Sequence, residues 1–129
     1  MSQSLRVMLV EDERVVSMTL ARMVTRMGHR VVAQAPSGEE ALELFDRARP
    51  DLVLMDIMLD GTMDGIDTAR EMIGQRPVHL VFVTAYGDAP TRLKAMDTRP
   101  AGFVHKPVDY AVLQYLLQDL PGPADLAEA

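Results

Sequence analysis

Acidic, hydroxyl and basic side chains stand where the apolar runs of this sequence end. Glu11, Asp12 and Glu13 follow LRVMLV, Asp56 follows LVLM, Thr84 closes VHLVFVT, and Lys106 with Pro107 follows GFVH. Desolvating an unpaired carboxylate is costly, so Asp56, directly behind four core-type residues, requires a partner, a proton or a place at a solvent-facing strand end. Three carboxylates gathered at one edge repel one another, and at least one takes a proton unless a cation intervenes. Magnesium suits such a set, because it prefers oxygen ligands, keeps several waters and uses one or two carboxylates together with phosphate oxygens. Asp12 and Asp56 are candidate direct ligands, with Glu11 acting through water, and the Lys106 ammonium adds a further positive charge. Two charges from the ion and one from the lysine balance three carboxylates and suit an incoming phosphoryl group.

For these groups to meet, the apolar runs must be strands of one parallel sheet. Residues 5–10, 30–35, 51–55, 78–84 and 102–105 have strand length and nearly unbroken apolar character. Between the first two, Val15, Met18, Leu20, Met23, Val24 and Met27 recur at helical spacing, with Gly28 as C-cap. Ser37 followed by Glu40 is a capping box ahead of the stripe Ala41, Leu42, Leu44 and Phe45. Residues 65–74 and 88–96 read as two shorter helices and 108–120 as the last. Five strands alternating with five helices predict an α/β fold, a doubly wound parallel sheet with helices on both faces. In such folds ligands collect beyond the carboxyl ends of the strands, where all the groups named above stand.

Composition removes several classes of function. The length of 129 residues suits one domain, and 48% hydrophobic residues argue against disorder. A formal charge of −6 disfavours nucleic-acid phosphates as a direct partner. Without cysteine there is no disulfide, zinc ribbon or thiol catalysis. No apolar run approaches membrane-helix length and the start does not resemble a signal peptide, so a soluble cytoplasmic protein is expected. The ten methionines read as core fillers. His29, His79 and His105 lack metal-ligand spacing.

Taken singly, each group has an ordinary reading. The acidic triplet suits a helix start, Asp56 a turn before Gly61, and Thr84 any strand. Lys106 is more informative, being one of two lysines, with Lys94.

Taken in order, they resemble the receiver domain of two-component response regulators, of the stand-alone type. The acidic pair Glu11-Asp12, Asp56, Thr84 within VTA and Lys106-Pro107 within GFVHKP carry the resemblance, which covers about residues 5 to 120. It implies a receiver domain over 1–120, a flexible tail or linker stub over 121–129, and the flavodoxin-like strand order 2-1-3-4-5. Asp56 would accept a phosphoryl group from a sensor histidine kinase, a histidine phosphotransfer protein or a small donor. Magnesium would be held by Asp12, Asp56 and the Met58 backbone carbonyl, with Glu11 close by. Lys106 would pair with Asp56 and then with the phosphoryl oxygens. Such a chain is a phosphoacceptor that assists its own phosphorylation and dephosphorylation, not an enzyme. The resemblance further implies a switch in which Thr84 turns toward the phosphoryl group and Phe103 fills the vacated space, and a cis Lys106–Pro107 peptide, which costs about 0.5–1 kcal/mol at proline. Residues 90–116, including Leu93, Tyr110 and Tyr115, would form the output face for a downstream protein or a homodimer, with no direct DNA or membrane contact.

Departures and rivals sharpen the reading. Asp60 replaces the proline usual four residues after the acceptor, and Gly65 comes one residue late, which affects this loop alone. Met58 and Tyr86 are bulky where water would attack, predicting slow self-dephosphorylation. A haloacid-dehalogenase-type phosphatase needs a second aspartate where Met58 stands, and a flavin carrier needs hydroxyls where three carboxylates stand. The alternatives are a receiver-like module that docks without phosphorylation, or a receiver cut from a larger regulator or hybrid kinase. If the chain is complete, its output runs through protein contacts or phosphate relay.

Overall fold

The computed structural model describes residues 4–85 and 88–122; the 123–129 part of the expected tail lies outside the described residues. Strands β1 (Arg6–Val10), β2 (Arg30–Ala35), β3 (Leu52–Asp56), β4 (His79–Thr84) and β5 (Gly102–His105) alternate with helices α1 (Arg14–Arg26), α2 (Gly38–Ala48), α3 (Gly65–Gln75), α4 (Ala89–Met96) and α5 (Tyr110–Gln118). The strands form one five-stranded sheet in the order β2-β1-β3-β4-β5, and every neighbouring pair is parallel. Both the fold class and the strand order expected from the sequence are therefore present.

Strand periodicity divides the core into two layers. Met8, Val10, Val53, Met55, Leu80 and Phe82 point to one face, where Ala41 and Phe45 of α2, Ile66, Ala69 and Met72 of α3, and Ala95 of α4 cover them. Val7, Leu9, Leu52, Leu54, Val81 and Val83 point to the other, under Leu20 and Val24 of α1 and Leu113 and Leu117 of α5. Both faces being covered, the strands need apolar residues at successive positions, which is why they read as unbroken runs.

Some boundaries differ from expectation. Asp56 is the last residue of β3 rather than the residue after it, paired in register with Val83, whereas Asp51 lies outside the strand and accepts a hydrogen bond from Arg6 N. α1 buries Leu20 and Val24, one helical turn apart, while Val15 and Met18 of the expected stripe face solvent. Likewise Met8, Met55 and Met72 fill the core, but Met18, Met58 and Met96 are exposed. Ser37 caps α2 as expected, its hydroxyl accepting from Glu40 N at 3.2 Å. No helix among the described residues is long and apolar enough to cross a membrane.

One glycine connects the fold to its carboxyl edge. Gly65 opens α3 with its nitrogen bonded to Ile57 O at 2.8 Å, so close to β3 that a Cβ there would overlap the Asp56 carbonyl. Gly65→Ala is expected to cost about 1–3 kcal/mol in urea unfolding, the usual range for forced overpacking. Gly74→Ala, in the same helix with nothing near its added methyl, is expected to be neutral or stabilising by up to about 1 kcal/mol. Equal effects at the two positions would remove the close approach as the cause.

Candidate functional site

The strand ends bring the acidic residues and the lysine together. Glu11 continues β1 by one bond, its nitrogen donating to Ala35 O at 3.0 Å, and its carboxylate turns inward to be 4% exposed. Asp56, at the end of the adjacent β3, is also 4% exposed, and Asp12 is half-buried. Glu11, Asp12 and Asp56 each offer a carboxylate oxygen, all within 4.8 Å of one another. The Lys106 ammonium reaches this cluster from beyond β5, 2.7 Å from Glu11 Oε1, 3.1 Å from Asp56 Oδ2 and 3.9 Å from Glu13 Oε1.

Backbone geometry positions Glu11, Asp56 and Lys106. Lys106 N donates to Thr84 O at 2.9 Å, extending the β4–β5 ladder by one bond, and the Lys106–Pro107 peptide is cis. Met58 N donates to Asp56 Oδ1 at 3.1 Å and Glu13 N to Glu11 Oε2 at 3.0 Å, so each carboxylate is anchored by an amide two residues on. Lys106 donates to Asp56 Oδ2, but its short contact with Glu11 Oε1 is off-angle, and that buried oxygen has no aligned hydrogen bond. Charge alone holds it.

The electrostatics follow from this crowding. Burial pushes the Glu11 carboxyl up from 4.5 to about 7, a rise that Lys106 and the Glu13 amide oppose and the neighbouring Asp56 reinforces. Burial works to lower the Lys106 pKa, but the adjacent Glu11 and Asp56 carboxylates outweigh this and raise it. One ammonium faces three clustered carboxylates, leaving negative charge in excess. Hard oxygen donors, surplus negative charge and a buried oxygen without an aligned donor fit a hard divalent cation such as magnesium.

The remaining described residues of the expected set are spread over β4, β5, α4, α5 and the loop after β3. Thr84 is 2% exposed and one residue beyond Val83, the register partner of Asp56. Phe103 pairs with Phe82, and Thr84 with His105, so alternation puts Thr84 and Phe103 on the same face of the sheet. The Phe103 ring is half-buried, stacked on Phe82 with centroids 5.7 Å apart. The Met58 side chain is 69% exposed. Leu93 and Tyr115 of the expected output face are exposed, as are Met96 and Val112, whereas Tyr110 is half-buried under the Arg26 guanidinium. Tyr86, which the sequence places in the path of water, lies outside the described residues. Two neighbours carry no signal in the sequence: Arg92, whose guanidinium sits 4.7 Å from the Phe103 ring centroid, and Glu39, whose carboxylate reaches the loop after β3 from α2.

Comparison with known proteins bears on the chain as a whole. The model of the response regulator receiver domain matches residues 7–118. The transcriptional regulatory protein PdtaR of Mycobacterium tuberculosis is 36% identical over 102 residues, 79% of this chain and 49% of that protein. The chemotaxis protein CheY of Thermotoga maritima is 31% identical over 103 residues, 79% of this chain and 85% of that protein. The signal receiver domain of a modulated diguanylate cyclase from Desulfovibrio desulfuricans G20 superposes with a TM-score of 0.82 at 32% identity, over 88% of this chain and 90% of that one. The chain spans about half the length of the first curated relatives it matches, 49% of PdtaR and 46% of the Streptomyces coelicolor regulator AfsQ1.

The raised Glu11 pKa has a measurable sign. Below its ordinary value of 4.5 the carboxyl is protonated in the folded and unfolded chains alike; from there to about 7 the unfolded chain ionises while the fold resists. The contribution of Glu11 to stability is therefore lost as pH rises through that window. Burial lowers the pKa of His29 and gives the opposite slope near its ordinary 6.5, so the comparison must isolate Glu11. In chelator-treated protein, the Tm gain of Glu11→Gln over wild type is expected to widen between about pH 5 and about pH 8. A gain that stays constant with pH would place the strain elsewhere.

Proposed function

The chain belongs to the family of response regulator receiver domains, a family of signalling domains rather than enzymes, and from that membership we propose that Asp56 accepts a phosphoryl group with magnesium. The observation that carries this reading is the Lys106 ammonium bridging Glu11 and Asp56 at 2.7 and 3.1 Å beside Asp12. That arrangement sets a positive charge against the Asp56 carboxylate, where phosphoryl oxygens would arrive.

In the proposed transfer, an Asp56 carboxylate oxygen attacks the phosphorus of a phosphohistidine on a sensor histidine kinase or a histidine phosphotransfer protein. A P–O bond forms and the P–N bond breaks, its electron pair leaving on the imidazole, which takes a proton from solvent. With acetyl phosphate as donor, a P–O bond breaks and acetate leaves. Asp12, Asp56 and the Met58 carbonyl would hold magnesium, with Glu11 acting through water, and the bound ion would supply positive charge to the phosphoryl oxygens. Lys106 exchanges its bond to Asp56 Oδ2 for one to a phosphoryl oxygen. Little covalent chemistry falls to the protein, whose work is positioning and charge stabilisation.

Thr84 then turns toward the phosphoryl group and Phe103 moves along its face of the sheet. The α4-β5-α5 surface, with Leu93, Met96, Val112 and Tyr115 exposed, passes the change to a downstream protein or a second copy. The net charge of −6 supports protein contact over direct DNA contact. The reading assigns residues 1–120 to the receiver, 121–129 to a tail or linker stub, and a cytoplasmic location beside the kinase.

Intact mass after incubation with acetyl phosphate is expected to show one added phosphoryl group that requires magnesium and is absent from Asp56→Asn. No adduct from acetyl phosphate or from phosphohistidine donors, together with no magnesium binding, would make this a docking module that works without phosphorylation. In the phosphorylated protein, amide shifts are expected to change across residues 90–116. Unchanged shifts there would reject the switch.

A further inference from the structure

The loop between β3 and α3, residues 57–64, carries Met58 and departs most from the expected receiver pattern. Its two ends are tied to each other by Gly65 N bonding Ile57 O at 2.8 Å. Its tip is held from outside. Glu39, in the first turn of α2, accepts three hydrogen bonds on one oxygen, Oε1: from Thr62 N at 3.2 Å, Thr62 Oγ1 at 2.7 Å and Met63 N at 3.1 Å. Gly61 lies against the second oxygen, with φ at 107° and room for a Cβ only 2.9 Å from Glu39 Oε2. These bonds hold the Glu39 carboxyl below its ordinary pKa, the Thr62 hydroxyl most of all.

The base of α2 is itself firmly placed. Gly38 packs so closely on Thr68 of α3 that a Cβ would collide with the Thr68 hydroxyl, which donates to Asp64 O at 2.8 Å. Glu39 is therefore mounted on one rigid helix and grips a loop that enters another. We propose that Glu39 is a positioning residue for the metal site: it holds the 57–64 loop so that the Met58 carbonyl stays presented beside Asp12 and Asp56. This rests on the magnesium site proposed above. A backbone ligand on a loop that must be ordered at each binding event weakens the site, and hydrogen bonds to an anchored acceptor oxygen remove that cost.

Magnesium titration calorimetry on the full chain tests this with wild type, Glu39→Ala and Glu39→Gln, alongside Tm and amide hydrogen exchange of the metal-free proteins. Glu39→Ala is expected to weaken magnesium binding roughly tenfold, the low end for outer-shell supports of a metal site, and to speed exchange at Thr62 and Met63. Glu39→Gln, which keeps an acceptor oxygen but no charge, is expected to recover most of both. Unchanged affinity in Glu39→Ala overturns the proposal while leaving the magnesium site standing. Equal weakening in Glu39→Gln and Glu39→Ala assigns the effect to net charge and overturns it too. A fall in affinity that only tracks general unfolding, seen as a matching loss of Tm, makes Glu39 merely structural. A wild type that binds no magnesium overturns the metal site itself and this role with it.

Discussion

Everything at the carboxyl edge of the sheet depends on an unbalanced charge. The fold sets Glu11 and Asp56 at the ends of adjacent buried strands, with Asp12 beside them, and meets them with a single ammonium, Lys106. Carboxylates this close in a poorly hydrated place disfavour one another's ionised form. Burial raises the pKa of Glu11, with the neighbouring Asp56 adding to the rise, and one of its oxygens has no aligned hydrogen bond. A site left this way is poised for an added cation.

The sheet makes this tension possible. It is covered by α2, α3 and α4 on one face and by α1 and α5 on the other, and its central strands β1, β3 and β4 carry only apolar residues between their end positions, so polar chemistry there is confined to the ends. Parallel strands put all their carboxyl ends on one side. The Lys106 nitrogen stays in the ladder with Thr84 O while its side chain reaches back across to β3 and β1. A strand terminus thus serves as both scaffold and functional group.

Much of this was legible in the sequence for a physical reason. Strands buried on both faces appear as apolar runs, and the polar residues interrupting them mark the ends, so Glu11, Asp12, Asp56, Thr84 and Lys106 could be placed at one edge before any coordinates. Helix faces were harder to read. Val15 and Met18 share the apolar character of Leu20 and Val24 but lie on the solvent side of α1, and chemical type alone does not distinguish a core methionine from an exposed one. Glu39 and Arg92 were invisible for another reason. Their contacts join different elements, Glu39 to Thr62 and Arg92 to Phe103, and no local pattern records a tertiary meeting of side chains from separate elements.

The stack of Arg92 over Phe103 and Phe103 on Phe82 couples an aromatic ring to a formal charge. A guanidinium resting on a ring follows the face that attracts it. Displacing Phe103 would therefore relocate a positive charge on α4 as well as reshape an apolar surface. A protein reading that surface would sense a rearranged electrostatic field, and its discrimination between the two forms would weaken as ionic strength rises.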